Sequence, residues 1–192
     1  MTGILEFLSS VDVSLFRFFN GQLANPISDR LMTVITNTAY LRIVAAVAAL
    51  FWLWKGKRKG RWAAAFALVA WGIADFGNSN WIKPIFARPR PCLTLSDVHL
   101  LVGCGETYSF PSGHAATSFA LATFLSLAYP HAKVVLIFLA GLIAYSRIAV
   151  GVHYPFDTLA GMAEGALLGY LFFRLFMTLK SFWQKKGWRG GW

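Results

Sequence analysis

Charge is scarce in this chain, and acidic charge scarcest of all. Only 14% of its 192 residues are charged, with 8 Asp or Glu against 18 Lys or Arg. A soluble domain carries about a quarter charged residues. With 57% hydrophobic residues and a mean hydropathy of +0.54, the composition argues against a soluble globular domain and excludes a disordered chain. Two cysteines are too few for a zinc framework or a disulfide scaffold. There is no HExxH run, no pair of aspartates and no carboxylate cluster, so no metal and no cofactor is expected. No internal repeat suggests an inverted-repeat transporter, and no long linker or low-complexity tract divides the chain. The first 20 residues hold Glu6 and Asp12, no basic n-region and no clear small-residue cleavage site; they do not read as a signal peptide, and the chain is taken as mature.

What is present is a series of apolar runs long enough for a bilayer. A spanning helix needs about 20 mostly apolar residues. Segments 62–82, 115–129, 133–150 and 158–178 qualify, and 34–54 does so despite Arg42. The run 115–129 is short, so its helix is expected to begin earlier, in the polar stretch before it. Residues 4–23 are apolar but broken by Glu6, Ser9, Ser10, Asp12 and Arg17, a pattern that fits an interfacial amphipathic helix better than a span. The expected fold is an all-α, polytopic membrane helix bundle of five to six transmembrane helices. It forms one domain over 1–192, with an amphipathic N-terminal region at 1–33. The net charge is +10, but the basic residues cluster between apolar runs, which reads as a topology signal rather than a nucleic-acid surface. Lys55, Lys57, Arg58, Lys59 and Arg61 fill one short loop, and Lys180, Lys185, Lys186 and Arg189 follow the last run. Both are expected inside the cell, which puts 83–114 and 147–157 together outside. Trp52, Trp54, Trp62, Trp81 and Trp183 fall near the helix ends, as an aromatic belt would.

Three polar segments therefore share one membrane face. The first carries Lys83, Arg88 and Arg90 among three prolines, which stop the preceding helix near residue 82. Cations on the outer face run against the positive-inside bias; by themselves they read as solvated or headgroup-binding charges. The second, Phe110-Pro111-Ser112-Gly113-His114, looks like a helix start, where free backbone N–H groups bind anions. By itself it could be a capped helix. The third runs from Ser146-Arg147 through His153 and Pro155 to Asp157. Arg147 ends an apolar run, where a charge is expensive without a partner, and an acid near His153 can hold its ring and favour the imidazolium. A structural ion pair is the plain alternative. Together, the cations, a helix N-terminus and two histidines make a site suited to metal-independent phosphoryl chemistry.

At these residues the sequence resembles the type 2 phosphatidic acid phosphatase family, membrane relatives of bacterial acid phosphatases and vanadium haloperoxidases. The family pattern is KxxxxxxRP, PSGH and SRxxxxxHxxxD. Here it reads Lys83 to Arg90-Pro91, Pro111-Ser112-Gly113-His114, and Ser146-Arg147 to His153 and Asp157, so the catalytic region is 83–157. The resemblance implies that His153 attacks phosphorus and forms a phosphohistidine, that Asp157 orients and charges His153, and that His114 protonates the leaving oxygen and then activates water. It implies that Lys83, Arg90, Ser112, Gly113 and Arg147 hold the phosphoryl oxygens. Arg88 falls outside the pattern, and headgroup recognition is one role open to it. Likeness to short bacterial members points to undecaprenyl diphosphate, with phosphatidylglycerophosphate, phosphatidic acid and lipid A 1-phosphate as other substrates. The implied location is the inner (plasma) membrane with the site facing the periplasm or exterior. Phosphotransfer to another acceptor and a binding-only lipid carrier are the competing readings; the second has no need of His153 with Asp157.

Gly161, Gly165 and Gly169 recur every four residues and make one helix face small, suiting close packing. Asp75 and Glu164 sit within apolar runs, where a functional role and a structural polar partner are both open. Cys92 and Cys104 share the outer loop; an oxidising compartment permits a bridge between them, and two free thiols are the alternative. A topology reporter inserted in the 92–104 loop is expected to score as extracytoplasmic, and a cytoplasmic score would reverse the orientation.

Overall fold

The computed structural model describes residues 2–105 and 108–186. Every regular element among the described residues is helical: α1 (Thr2–Arg17), continued by a π-helical turn (Phe18–Gln22), α2 (Pro26–Ile35), α3 (Thr38–Lys55), α4 (Arg58–Gly77) with a second π turn (Asn78–Ile82), the short α5 (Lys83–Phe86) and α6 (Pro91–Thr94), α7 (Gly113–Ala128), α8 (Lys133–Ala149) and α9 (Pro155–Lys185). By length and composition, three helical stretches can cross a membrane: Thr38–Lys55, Pro130–Ala149 and Pro155–Lys185. α7 is apolar but shorter, and it does begin in the polar stretch, at Gly113. α4 opens on Arg58, Lys59 and Arg61.

The helix expected over 34–54 is α3, which begins later, at Thr38; residues 34 and 35 close α2. Asn25 caps α2, accepting from the N–H groups of Ile27 and Ser28 at 3.2 and 3.0 Å. Asn37 then starts α3 afresh, its Oδ1 accepting from Ala39 and Tyr40 at 3.0 and 3.3 Å. A side-chain acceptor for the first orphan N–H groups is what ends one helix and begins the next.

α1 is not merely a broken amphipathic surface. Asp12, Phe16 and Asn20 are all buried, and their i, i+4, i+8 spacing lays them on one stripe. Ile4, Leu5 and Phe7 remain exposed. Asn20 donates to the carbonyls of His99 and Ala149 at 2.8 and 2.9 Å and accepts from the His99 N–H at 2.9 Å. Asp29 holds the His99 ring at 2.9 Å, and Arg17 pairs with Asp97 at 2.8 Å. The N-terminal helices thus pin the loop before α7 to the turn after α8. Cys92 and Cys104 are joined by a disulfide within that loop.

α7 is the central helix, packed most extensively against α9 and also against α8 and α4. The contact is that close because α9 presents no side chains along it. A Cβ added to Gly161, Gly165 or Gly169 would lie 2.4, 2.1 and 2.5 Å from the carbonyl oxygens of Ser112, Ala116 and Ala120 respectively. Ala115, Ala116 and Ala120 complete the small-residue seam, and Phe124 and Phe176 fill the wider end. Packing of this kind replaces the hydrophobic drive that lipid cannot supply.

Gly165→Val is expected to force α9 off α7. Overpacking costs about 1–3 kcal/mol where side chains can yield, and here the obstacle is backbone. Thermal unfolding in detergent should show a lowered midpoint; an unchanged midpoint would mean the seam contributes nothing.

Candidate active site

Four chain segments converge at the end of the bundle where α7 and α9 begin. The Ser112 N–H donates to the Asp157 carbonyl at 2.9 Å, which locks the two helix starts together. The N–H groups of Val152 and His153 both donate to the Arg147 carbonyl at 3.2 Å, folding the turn back over the end of α8. Gly151 makes that turn possible at φ +86°, where an added Cβ would meet Val98 Cγ1 at 2.8 Å and the His99 carbonyl at 2.9 Å.

His153 and Asp157 are buried, 2% and 0% exposed by side chain. Their closest approach, Nδ1 to Oδ2, is 3.5 Å, longer than a good hydrogen bond. The carboxylate is committed elsewhere. Its Oδ2 accepts from the Tyr154 N–H at 2.8 Å, and its Oδ1 accepts from Arg88 Nη1 at 2.7 Å. Arg88 Nη2 donates in turn to Asp12 Oδ2 at 2.7 Å, and Asp12 Oδ1 accepts from the Phe156 N–H at 2.8 Å. The guanidinium lies 4.1 Å from the centre of the Tyr154 ring. Arg88 is therefore a strut between two buried carboxylates rather than a headgroup contact.

Lys83, Arg90, Gly113, His114, Arg147 and His153 line a single cavity of about 420 Å³. Ser112 and Asp157 do not line it; they stand behind its wall. Arg90 Nη1 is 3.2 Å from the Val152 carbonyl and 3.4 Å from His153 Nε2. His114 Nε2 lies 3.1 Å from the Thr36 carbonyl and 3.3 Å from Thr38 Oγ1. A carbonyl partner assigns the proton to Nε2 in the neutral ring. Arg147 Nη1 donates to Thr36 Oγ1. Ser112 does not cap α7 with its side chain; its Oγ, with Arg147 Nε and His153 Nδ1, is a buried polar atom without a hydrogen-bond partner. Buried groups left in that condition are costly.

The electrostatics are those of a cation cluster suited to an anion. Burial, reinforced by Arg90 and Arg147, lowers Lys83 to about 8. Burial also lowers Arg90. His153 is pushed well below the usual histidine range, first by burial and then by Arg147 and Arg90. In the free site, burial and these cations disfavour the charged ring more than Asp157 favours it. Asp12, Arg88, Thr36 and Thr38 belong to the site's surroundings without appearing in its motifs. The one signal for Asp12 was its place on the Asp12, Phe16, Asn20 stripe.

The family model described as the PAP2 superfamily matches residues 62–181. A lipid A 4'-phosphatase of Porphyromonas gingivalis is 28% identical over 187 residues, covering 93% of this chain and 78% of its own length. An undecaprenyl-diphosphatase, BcrC, of Bacillus subtilis is 32% identical over 160 residues, covering 82% and 80%. Among solved structures, Aquifex aeolicus LpxE is similar with a TM-score of 0.66 and 30% identity, covering 84% of this chain and 94% of that one. A PAP2-type phosphatidylglycerolphosphate phosphatase from Bacillus subtilis shares the fold, with a TM-score of 0.71 and 24% identity over 89% and 87%.

The Lys83 shift predicts a pH limit. Its ammonium loses its proton as pH rises through about 8, and with it one contact to a bound anion. Since kcat/KM reports the free enzyme, it should fall above that pH. Lys83→Arg should move the fall to higher pH, and a profile indifferent to that change would remove Lys83 from anion binding.

Proposed function

The chain belongs to the PAP2 superfamily and is a lipid phosphatase; we propose that it hydrolyses undecaprenyl diphosphate to undecaprenyl phosphate through a phosphohistidine. The observation that carries the proposal is the cavity in which Lys83, Arg90, Arg147, His114 and His153 meet, one end polar and cationic, the other continuing between apolar helix faces.

In this reading His153 attacks through Nε2, since Nδ1 faces Asp157. A nitrogen–phosphorus bond forms, the bond from phosphorus to the leaving oxygen breaks, and His114, protonated once the anionic substrate is bound, supplies the proton that oxygen takes. Lys83, Arg90 and Arg147 hold the three equatorial oxygens, with the Gly113 backbone at the start of α7. Asp157, fixed by Arg88, meets the imidazole as it becomes cationic. Water activated by His114 then breaks the phosphohistidine, phosphate leaves, and His114 regains its proton. The basic loop at 55–61 favours a site on the extracytoplasmic face of the inner membrane. The likeness to lipid A phosphatases over nearly the whole chain supports a second substrate, a lipid A phosphate, at the same centre.

The test is inorganic phosphate release by detergent-purified protein under excess chelator. The panel holds undecaprenyl diphosphate, phosphatidylglycerophosphate, phosphatidic acid and a lipid A phosphate. Release is expected fastest from the diphosphate and should vanish in His153→Ala, while His114→Ala should lose about 10²–10⁴-fold. Full activity in the His153 variant would refute the covalent intermediate. A different lipid ranking would move the substrate assignment.

A further inference from the structure

The phosphate-binding cavity does not end at the cation cluster. Thr38 and Arg42, one turn apart on α3, both line it, with Leu41, Ala45 and Ala48. Arg42, Ala45, Ala48, Trp71 and Leu121 also line a neighbouring cavity of about 570 Å³ walled almost wholly by apolar side chains. Arg42 thus stands at the junction, between the site where phosphorus is attacked and the space suited to a lipid tail.

An arginine set in an apolar helix is expensive without a partner. Among the described residues no carboxylate comes within 4.0 Å of it. Its position suits a leaving group. His114, the proton donor of the proposed mechanism, has Thr38 of α3 beside its ring at 3.3 Å. A leaving oxygen within reach of His114 is therefore beside α3, and the next group towards the tail passes Arg42. For a phosphate monoester that group is carbon. For a diphosphate it is a second phosphate, whose charge rises as the bridging bond breaks.

We propose that Arg42 binds the lipid-side phosphate of a diphosphate substrate and makes the enzyme selective for diphosphates over monoesters. The inference rests on the phosphatase reading above. The bridging P–O bond breaks, its electron pair stays on the lipid-side oxygen, that oxygen takes the proton from His114, and the guanidinium meets the charge that gathers on the lipid-side phosphate while the bond breaks. A fork of N–H donors suits that group better than a single ammonium. Asp75 of α4 lines the same cavity and offers a competing use for Arg42, as a structural ion pair across the gap.

The experiment compares kcat/KM for a polyprenyl diphosphate and for phosphatidic acid in wild type, Arg42→Gln, Arg42→Lys and Asp75→Asn. Loss of a charge-assisted contact should cut the diphosphate-to-monoester ratio roughly 10- to 100-fold in Arg42→Gln. Arg42→Lys should restore part of it, and Asp75→Asn should keep the wild-type ratio. An Arg42→Gln protein that loses both substrates equally overturns the proposal while leaving the phosphatase reading intact, as does an Asp75→Asn protein that reproduces its ratio. A wild-type protein that releases phosphate from neither lipid overturns the phosphatase reading itself. One that acts on phosphatidic acid alone overturns the selectivity.

Discussion

Asp157 is a carboxylate with no exposed surface, and burying such a group is tolerable only if its oxygens are answered by donors. The donors come from different parts of the chain: the Tyr154 N–H from its own helix start, and Arg88 from the loop after α5. Arg88 brings Asp12 of α1 with it, and Asp12 takes the Phe156 N–H. Three regions distant in sequence are thereby tied at one point beneath His153. The position of His153 is a consequence of that knot. Removing one member would leave a buried charge unpaired, a larger cost than the loss of a surface ion pair.

The knot works because the helices behind it are held at fixed separation. α9 can approach α7 only along a side that lacks Cβ atoms at Gly161, Gly165 and Gly169, and the Ser112 N–H meets the Asp157 carbonyl at the top of that seam. Asn78, below, donates to Glu164 of α9 at 2.8 Å, which gives one of the two intramembrane acids a structural partner. α3 is different. It has no buried residue of its own, and the cavities lie along its inner side. A rigid catalytic core beside a loosely packed helix is an arrangement that lets a lipid tail lie against the protein without disturbing the chemistry.

The motif residues were legible because each carries an energetic penalty that the surrounding sequence does not explain: cations among prolines at the end of an apolar run, an arginine ending an apolar helix, histidines beside a helix start. Their grouping followed from topology. The strut was not legible. Arg88 lies two residues from Arg90 and is of the same type, yet Arg90 faces the cavity and Arg88 faces two carboxylates. Asp12 counted as a break in an amphipathic pattern because its partner is 76 residues away. The start of α3 at Thr38 was hidden for another reason: hydropathy is indifferent to the capping side chain of Asn37, and Val34 and Ile35 before it are as apolar as the run that follows.

The amino-acid sequence by itself determined the apolar helices, the cations set between them, the small-residue face of α9 and the set of groups able to handle a phosphoryl anion, since these depend on residue type and local spacing. Which of those groups touch the cavity was decided only by the tertiary structure. It put Ser112 and Asp157 behind the wall, turned Arg88 into a strut, pushed the His153 ring below its usual range by burial among cations, and set Arg42 at the junction of two cavities. These outcomes depend on distances between segments far apart in the chain, and composition, periodicity and motif spacing carry no information about such distances.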